Sequence, residues 1–189
     1  MKKLALLFVL MGGLVFAQTK NLKVTQSEIN WWGYKVAKTE ASSHYGTLNL
    51  KNGTVILKNN QLAGGTFVLD MTSINATDLS GEYQAKLNGH LKNGDFFEVE
   101  KYPTGLFKIT HLKKTSQNGN YTIIGQLTLK GKTNQVSFPA QVKVTDGVLT
   151  LVSEKFSIDR QKWGIAYQST MKDVVIKDDI DLQVSLTAK

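Results

Sequence analysis

The chain is 189 residues long, 41% apolar and 20% charged, with 2 prolines, no cysteine and a net charge of +8. That composition excludes disorder, a collagen-like repeat, a disulfide framework and any Cys-type zinc site, and it suits one domain with a full-sized core. The lysines are scattered, with only Lys113-Lys114 adjacent beyond the first three residues, a pattern of solvated surface that argues against nucleic acid as a partner.

Met1-Lys2-Lys3, the apolar run from Leu4 to Phe16, and Val15-Phe16-Ala17 have the form of a secretory signal cut after Ala17. Residues 1–17 are therefore assigned as a signal peptide and 18–189 as one domain. The run is short of the ~20 residues that span a bilayer. No cysteine follows the cut, so no lipid or membrane anchor is expected to remain. The expected destination is the periplasm, with secretion from the cell as the second option. Lys2 and Lys3 would leave with the leader, taking the net charge from +8 to +6.

Beyond the leader, period-two alternation broken by short turns dominates. Ile29 to Val36 is a strand with Trp31 and Trp32 on opposite faces, and Tyr45 to Leu50 is another. Asn52-Gly53 predicts a tight hairpin before Thr54 to Leu57, and Asn59-Asn60 a further turn. Leu62 to Ser73 follows, with Gly64-Gly65 as a bulge or bend. From Thr77 to Lys92 the period changes: Leu79, Tyr83, Leu87 and Leu91 recur every fourth residue, which predicts a helical excursion. Strands resume at Gly105 to His111. Asn118-Gly119 turns the chain into the alternating run Tyr121, Ile123, Leu127, Leu129, and Gly131-Lys132 turns it again. Val136, Phe138, Ala140, Val142 and Val144 form the clearest inward face. Asp146-Gly147 is a second strong hairpin turn before Val148 to Ile158, and a last strand runs from Val174 to Leu186. Eight to ten hairpin-linked strands with one helical insertion fit a barrel or a sandwich equally well.

Several ordered pieces carry a resemblance. They are Ser27-x-Ile29-x-Trp31, His44-x-Gly46, Gly64-Gly65-x-Phe67-x-x-Asp70-Met71-x-Ser73-Ile74, Gly89-His90-Leu91-Lys92, Asp95-Phe96-Phe97-x-Val99 and Tyr102-Pro103-x-x-x-Phe107-x-Ile109. Gly125-x-Leu127-Thr128-Leu129-x-Gly131, Phe156-x-Ile158-Asp159-Arg160 and Trp163-Gly164-Ile165 complete the set. Together they resemble the YceI-like family, exported bacterial proteins associated with polyisoprenoid binding. The resemblance implies an all-β fold: an extended, antiparallel, lipocalin-like β-barrel of about eight strands with one short helical insertion. It also implies an elongated apolar pocket for a long lipid chain. Trp163 departs from the phenylalanine more usual there, which bears on pocket length or mouth shape.

The candidate tail pocket comprises Phe67, Leu69, Met71, Phe107, Ile109, Ile123, Leu127, Phe138, Val142, Phe156 and Ile158. The pattern alone favours an ordinary filled core, and it is the resemblance that makes these residues a container. Arg160 is the only arginine, and in a regular strand it shares the inward parity of Val152, Phe156 and Ile158. Its planar fork would hold a phosphate, carboxylate or quinone oxygen at the mouth, or would pair with a buried Asp70, Asp95 or Asp159. His90 and His44 are further head-group candidates, Phe96 and Phe97 a plug against the opening or a dock for the helix, and Trp163 part of the mouth.

The separations of His44, His90 and His111 carry no metal signature, so no metal or other cofactor is expected beyond a bound lipid, most simply a polyisoprenoid. No nucleophile elbow, zinc-protease motif or phosphate loop occurs, and Asp178-Asp179 falls in an apparent exposed turn, so no enzyme activity is expected. The reading from sequence is an exported lipid-binding protein that stores or transports a long-chain isoprenoid or related lipid. The alternative is a secreted β-protein binding a protein or cell-surface partner through exposed aromatics, with a hydrolase more distant. The oligomeric state stays open between monomer and homodimer.

Overall fold

The computed structural model describes residues 18–37, 40–115 and 119–189. The leader assigned to residues 1–17 and Asn118 of the Asn118-Gly119 turn lie outside the described residues. In chain order the elements are β1 (Thr19–Ala37), β2 (Glu40–Lys58), β3 (Gln61–Ala76), α1 (Gly81–Lys92), β4 (Thr104–Lys114) and β5 (Asn120–Leu129). They continue with β6 (Lys132–Thr145), β7 (Val148–Ser153), β8 (Phe156–Asp159), a 3-10 turn (Arg160–Trp163) and β9 (Val174–Ala188). All pairings are antiparallel between chain neighbours through β7, and β9 then bonds to β7 and β8 on one side and to β1 on the other. The sheet closes on itself as an eight-stranded barrel with one short helix, as expected from the resemblance.

Eight rather than nine, because β7 and β8 form one interrupted strand along the same edge of β9. Val152 pairs with Ser185 and Phe156 with Leu182, so Glu154-Lys155 inserts one extra residue. An insertion of one inverts which face each side chain meets. Leu149, Leu151 and Ser153 point inward before it and Phe156 and Ile158 after it, whereas Val152 is 49% exposed. The simple parity that grouped Val152 with Phe156 and Ile158 therefore fails. Ser153 repairs the backbone at the bulge: its Oγ accepts the Val184 N–H at 2.8 Å.

Three other expectations change. Asn52-Gly53 makes no hairpin but lies inside β2, at a register shift between Leu50 and Asn52. Gly53 is needed there because a Cβ would meet Val24 and the Phe67 ring at 2.7 and 2.9 Å. The hairpin itself is at Asn59-Asn60, both in the left-handed region with φ of 51° and 60°. The helix is shorter than the run from Thr77, beginning after Ser80, and Asp178-Asp179 lies in β9 rather than in a turn.

The two ends of the barrel differ. At one end the tight turns Asn59-Asn60 and Asp146-Gly147 close the strands over a filled core that includes Leu22, Val55, Leu57, Leu62, Leu149 and Val142. At the other, β4 pairs only with Thr66–Asp70 of β3, and the gap beside Met71–Ala76 is covered by α1 and the segment after it. Met71 N–H bonds to Pro103 O at 3.0 Å across that seam. The β1–β2 hairpin and the start of β9 project past the end of β3, since Val36 pairs with Ala41 and Val175 while β3 stops at Ala76 opposite Gly46.

Candidate functional site

The inward residues of the second half do not fill it. They enclose a cavity of about 490 Å³ that opens beside α1 and the β1–β2 hairpin. Its inner part is crossed by a row of aromatic rings: Phe67 and Phe107 lie 6.2 Å apart, Phe107 and Phe138 5.7 Å, and Phe138 and Phe156 4.4 Å. The row needs a gap in β5. Gly125 supplies it, because a Cβ at that position would meet the Phe107 ring at 2.4 Å. Leu69, Met71, Leu127, Ile158, Leu182 and Val184 form the walls, and Ile123, Leu151 and Leu186 the deepest lining.

Ten of the eleven tail-pocket candidates line this cavity: Phe67, Leu69, Met71, Phe107, Ile109, Ile123, Leu127, Phe138, Phe156 and Ile158. Val142 does not. It belongs to the filled end, since the strand that carries Phe138 into the cavity carries Val142 past the aromatic row.

The six mouth candidates also line the cavity, in different settings. Phe96 is buried against His90 and Tyr167, with ring centres 5.0 and 5.3 Å away, and His90 meets Tyr167 edge-on at 4.5 Å. This aromatic cluster joins α1 to the stretch between the 3-10 turn and β9. Phe97 is half-buried beside it. His90 Nδ1 is 3.3 Å from Asp95. His44 Nδ1 is 2.7 Å from Asp78, whose other oxygen accepts the Tyr45 N–H at 3.2 Å. Burial pushes the Asp78 carboxyl up, but the hydrogen bonds from His44 and Tyr45 outweigh it and hold it below the usual carboxylate range. Trp163 is 1% exposed and donates from Nε1 to Leu127 O at 2.9 Å, so it belongs to the wall.

Arg160 is 1% exposed, and each of its three side-chain nitrogens has a partner. Its Nη1 donates to Ile165 O at 2.6 Å, Nε to Lys177 O at 3.1 Å and Nη2 to Ile176 O at 3.4 Å. Nη2 also lies 2.9 Å from Asp178 Oδ1, a buried oxygen that accepts no hydrogen bond and whose charge the guanidinium offsets. The carbonyls of Ile176 and Lys177 are available because β9 bulges against β1 there: Gly33 pairs with Ile180 but Lys35 with Ile176. Five N–H donors in a rigid fork can serve three carbonyls and a carboxylate, while the three donors of a lysine cannot. The partner is Asp178, and none of the acids singled out from sequence. Asp70 caps Thr72, Asp159 caps Gln161 and Asp95 sits by His90.

Sequence reasoning missed Lys35, Lys177, Ser169 and Met171, all on the lining near the opening. For Lys35 a signal was present: Ile29, Trp31, Gly33, Lys35 and Ala37 are one parity of β1, and the outward residue Trp32 has the Lys155 ammonium over its ring at 3.6 Å. Among the described residues no cluster of three or more metal-ligating side chains occurs.

Comparison with known proteins supports the same fold. The Burkholderia cenocepacia BcnA structure superposes with a TM-score of 0.62 at 17% identity, covering 86% of this chain and 96% of that one. A polyisoprenoid binding domain from Saccharophagus degradans, implicated in plant cell wall breakdown, does so with a TM-score of 0.60 at 13% identity, covering 89% and 97%. A UPF0312 protein of Staphylococcus aureus strain USA300 is 26% identical over 106 residues, covering 52% of this chain and 58% of that protein. A UPF0312 protein of Photorhabdus laumondii is 38% identical over 58 residues, or 31% and 29% of the two chains. The chain thus aligns with less than two thirds of the length of these sequence relatives. The YceI-like domain matches residues 21–188, and with nearly the whole described barrel inside that match, the chain belongs to the YceI-like domain family.

Proposed function

We propose that the barrel holds one long-chain lipid, a polyisoprenoid, with its tail among the cavity walls and its polar head at the opening. It would store that lipid or carry it through an aqueous compartment. The observation that carries the reading is the cavity's form: an almost wholly apolar lining, closed by the filled end and open at the other. The lining runs along β9 from Leu186 to Val174. At roughly 3.3 Å per residue and a tilt of about 40°, its ends lie on the order of 25–30 Å apart along the barrel axis. That approaches the hydrocarbon thickness of a whole bilayer, ~30 Å, and exceeds one leaflet of acyl tail. A volume of about 490 Å³ drawn out so far is narrow, which suits a single chain better than a two-tailed lipid.

Each buried CH₂ contributes ~0.8 kcal/mol, so a long tail binds without many polar contacts and with loose selectivity among tails. The signal-like Met1–Ala17 supports export, with the periplasm as the working compartment.

Native mass spectrometry of the chain purified from its own host without detergent tests the proposal. The expected result is a discrete added mass that extracts into organic solvent and fragments in isoprene steps. A fatty chain instead would keep the container and change the cargo. A clean apo mass with no uptake of any offered lipid would refute the container.

A further inference from the structure

Of the large apolar side chains exposed on the described residues, the three most exposed are Tyr83 at 74%, Met171 at 69% and Val175 at 59%. All three stand around the opening of the cavity. Tyr83 is in the first turn of α1, beside Gln84, which donates to Ala76 O at 2.7 Å where β3 ends. Met171 is in the stretch before β9, and its carbonyl accepts the Val174 N–H at 3.3 Å. Val175 has the parity opposite to Val174 and Ile176, which line the cavity, so it faces outward. It pairs with Val36, and Val36 pairs with Ala41, so three apolar side chains run across the outer face of the projecting strands.

Apolar side chains scattered singly over a surface carry no message, but these gather at one end and continue the cavity. Met171 belongs to both surfaces: it lines the cavity and is also exposed. The apolar wall therefore runs over the rim to the outside without a polar break at that point. Two phenols at the rim have an ammonium beside them, Lys86 at 5.9 Å from the Tyr83 ring centre and Lys177 at 5.8 Å from that of Tyr34. Tyrosine with a neighbouring lysine suits the boundary between membrane and water, where the ring sits at headgroup depth and the ammonium reaches toward water. Glu82 and Asp173 are exposed on the same elements, so the rim carries both signs and the attraction is apolar rather than electrostatic. A long tail is stored in bilayers and pays for each methylene it exposes to water, so a mouth seated on the bilayer removes that barrier. From this geometry we infer that the open rim docks on the surface of a lipid bilayer. Tyr83, Met171 and Val175 sit at headgroup depth and the opening faces the tails, so a chain passes between bilayer and barrel without crossing water. The inference rests on the container reading above and adds where the container is filled and emptied.

The test combines Tyr83→Gln with Val175→Thr, two positions outside the cavity lining. Glutamine keeps a helix former in α1 and threonine keeps the branched shape in β9. Partition onto phosphatidylcholine vesicles is read by flotation. Transfer of an anthraniloyl-labelled geranylgeranyl chain from protein to acceptor vesicles is read by stopped-flow fluorescence. The native protein should float with the vesicles, and its transfer rate should rise in proportion to vesicle concentration. The double variant should partition on the order of 10-fold less, and its transfer should no longer follow vesicle concentration, while its affinity for the labelled chain in solution stays unchanged. Val175→Trp should partition about 3-fold more strongly than the native protein. A native protein that binds the labelled chain but neither floats nor transfers in proportion to vesicle concentration overturns the inference while the container stands. Partition that needs phosphatidylglycerol and vanishes in salt overturns apolar docking. A native dimer that the double variant splits, with partition unchanged, overturns it and assigns the patch to a second copy. Should the double variant also lose the labelled chain, Val175→Trp decides: stronger partition supports the inference, and unchanged partition overturns it. Flotation of a native protein that takes up no chain supports the docking surface and refutes the container.

Discussion

The two halves of the barrel are built from the same strands yet do opposite things with their inward faces. In the filled half, tight turns let opposing walls meet, and Val55, Leu57 and Leu149 are at most 1% exposed. In the open half, β4 is shifted away from the end of β3, a helix covers the gap, and the β1–β2 hairpin runs on past its neighbours. The walls there stay apart. Leu48, Leu182 and Val184 remain half-buried although their neighbours are apolar. The difference lies in strand length and register rather than in hydrophobicity. A row of four phenylalanines marks the boundary between the halves.

A charge placed in each half should separate them most strongly. Val142→Asp, in the filled half, should cost at least ~3 kcal/mol of stability in denaturant melts, because the carboxylate has neither water nor a partner. Leu182→Asp, on the cavity wall, should leave the chain folded while tail affinity falls ~100-fold or more, read by displacement of a fluorescent chain. Equal destabilisation by both would mean that the open half is packed like the filled one.

Arg160→Lys comes next. It keeps the charge and removes the fork, stranding carbonyls of Ile165, Ile176 and Lys177, and should cost roughly 3 kcal/mol in the same melts. The preference among head groups should not move. A changed head-group preference in a stable Arg160→Lys protein would return head-group recognition to the guanidinium.

Phe156→Ala should be milder in stability, below ~3 kcal/mol, because this ring already faces open space. It should lengthen the cavity and shift the bound chains toward longer tails, read by mass spectrometry of extracted lipid. An unchanged length distribution would show that the aromatic row does not limit the tail.

The smallest effects are those of pH. The lowered pKa of Asp78 means that its contribution is present above the ordinary carboxylate value of 3.8 and is lost as pH falls through the lower folded value. The native melting temperature should therefore drop in that acid window, and Asp78→Asn should flatten the drop. At the rim of the opening, the hydrogen bond to Asp181, burial and the Asp181 charge push the Tyr34 phenol up to about 12. Its contribution is present below the ordinary 10.0 and is lost as pH rises toward about 12, so Tyr34→Phe should blunt the alkaline fall. Both substitutions act at the rim, so neither should change tail affinity, which is the measurement that keeps the rim apart from the cavity walls.

Local pattern made much of the barrel legible. The alternation from Val136 to Val144, the Asp146-Gly147 turn and the spacing of Leu87 and Leu91 act within one strand, one turn or one helix face, and the chain carries them whatever surrounds it. Failures came where a distant partner decides. Asn52-Gly53 has the composition of a hairpin, but β3 and Val24 hold it extended. The inward phase of Phe156 follows from a bulge at Glu154-Lys155 that only pairing with β9 defines. Lys35 was hidden among 22 lysines that the sequence treats alike, although its parity marked it.

Taken by itself, the sequence determined the all-β class, most turns, the inward series of the strands and the need for a fork-shaped donor at position 160. Tertiary structure alone decided that one half of the barrel closes and the other stays open, that Asp178 rather than a nearer acid faces Arg160, and that Val142 lies beyond the cavity. The reason is physical: periodicity fixes which side of a strand a residue faces, whereas register between strands far apart in sequence fixes how deep it lies and what stands opposite.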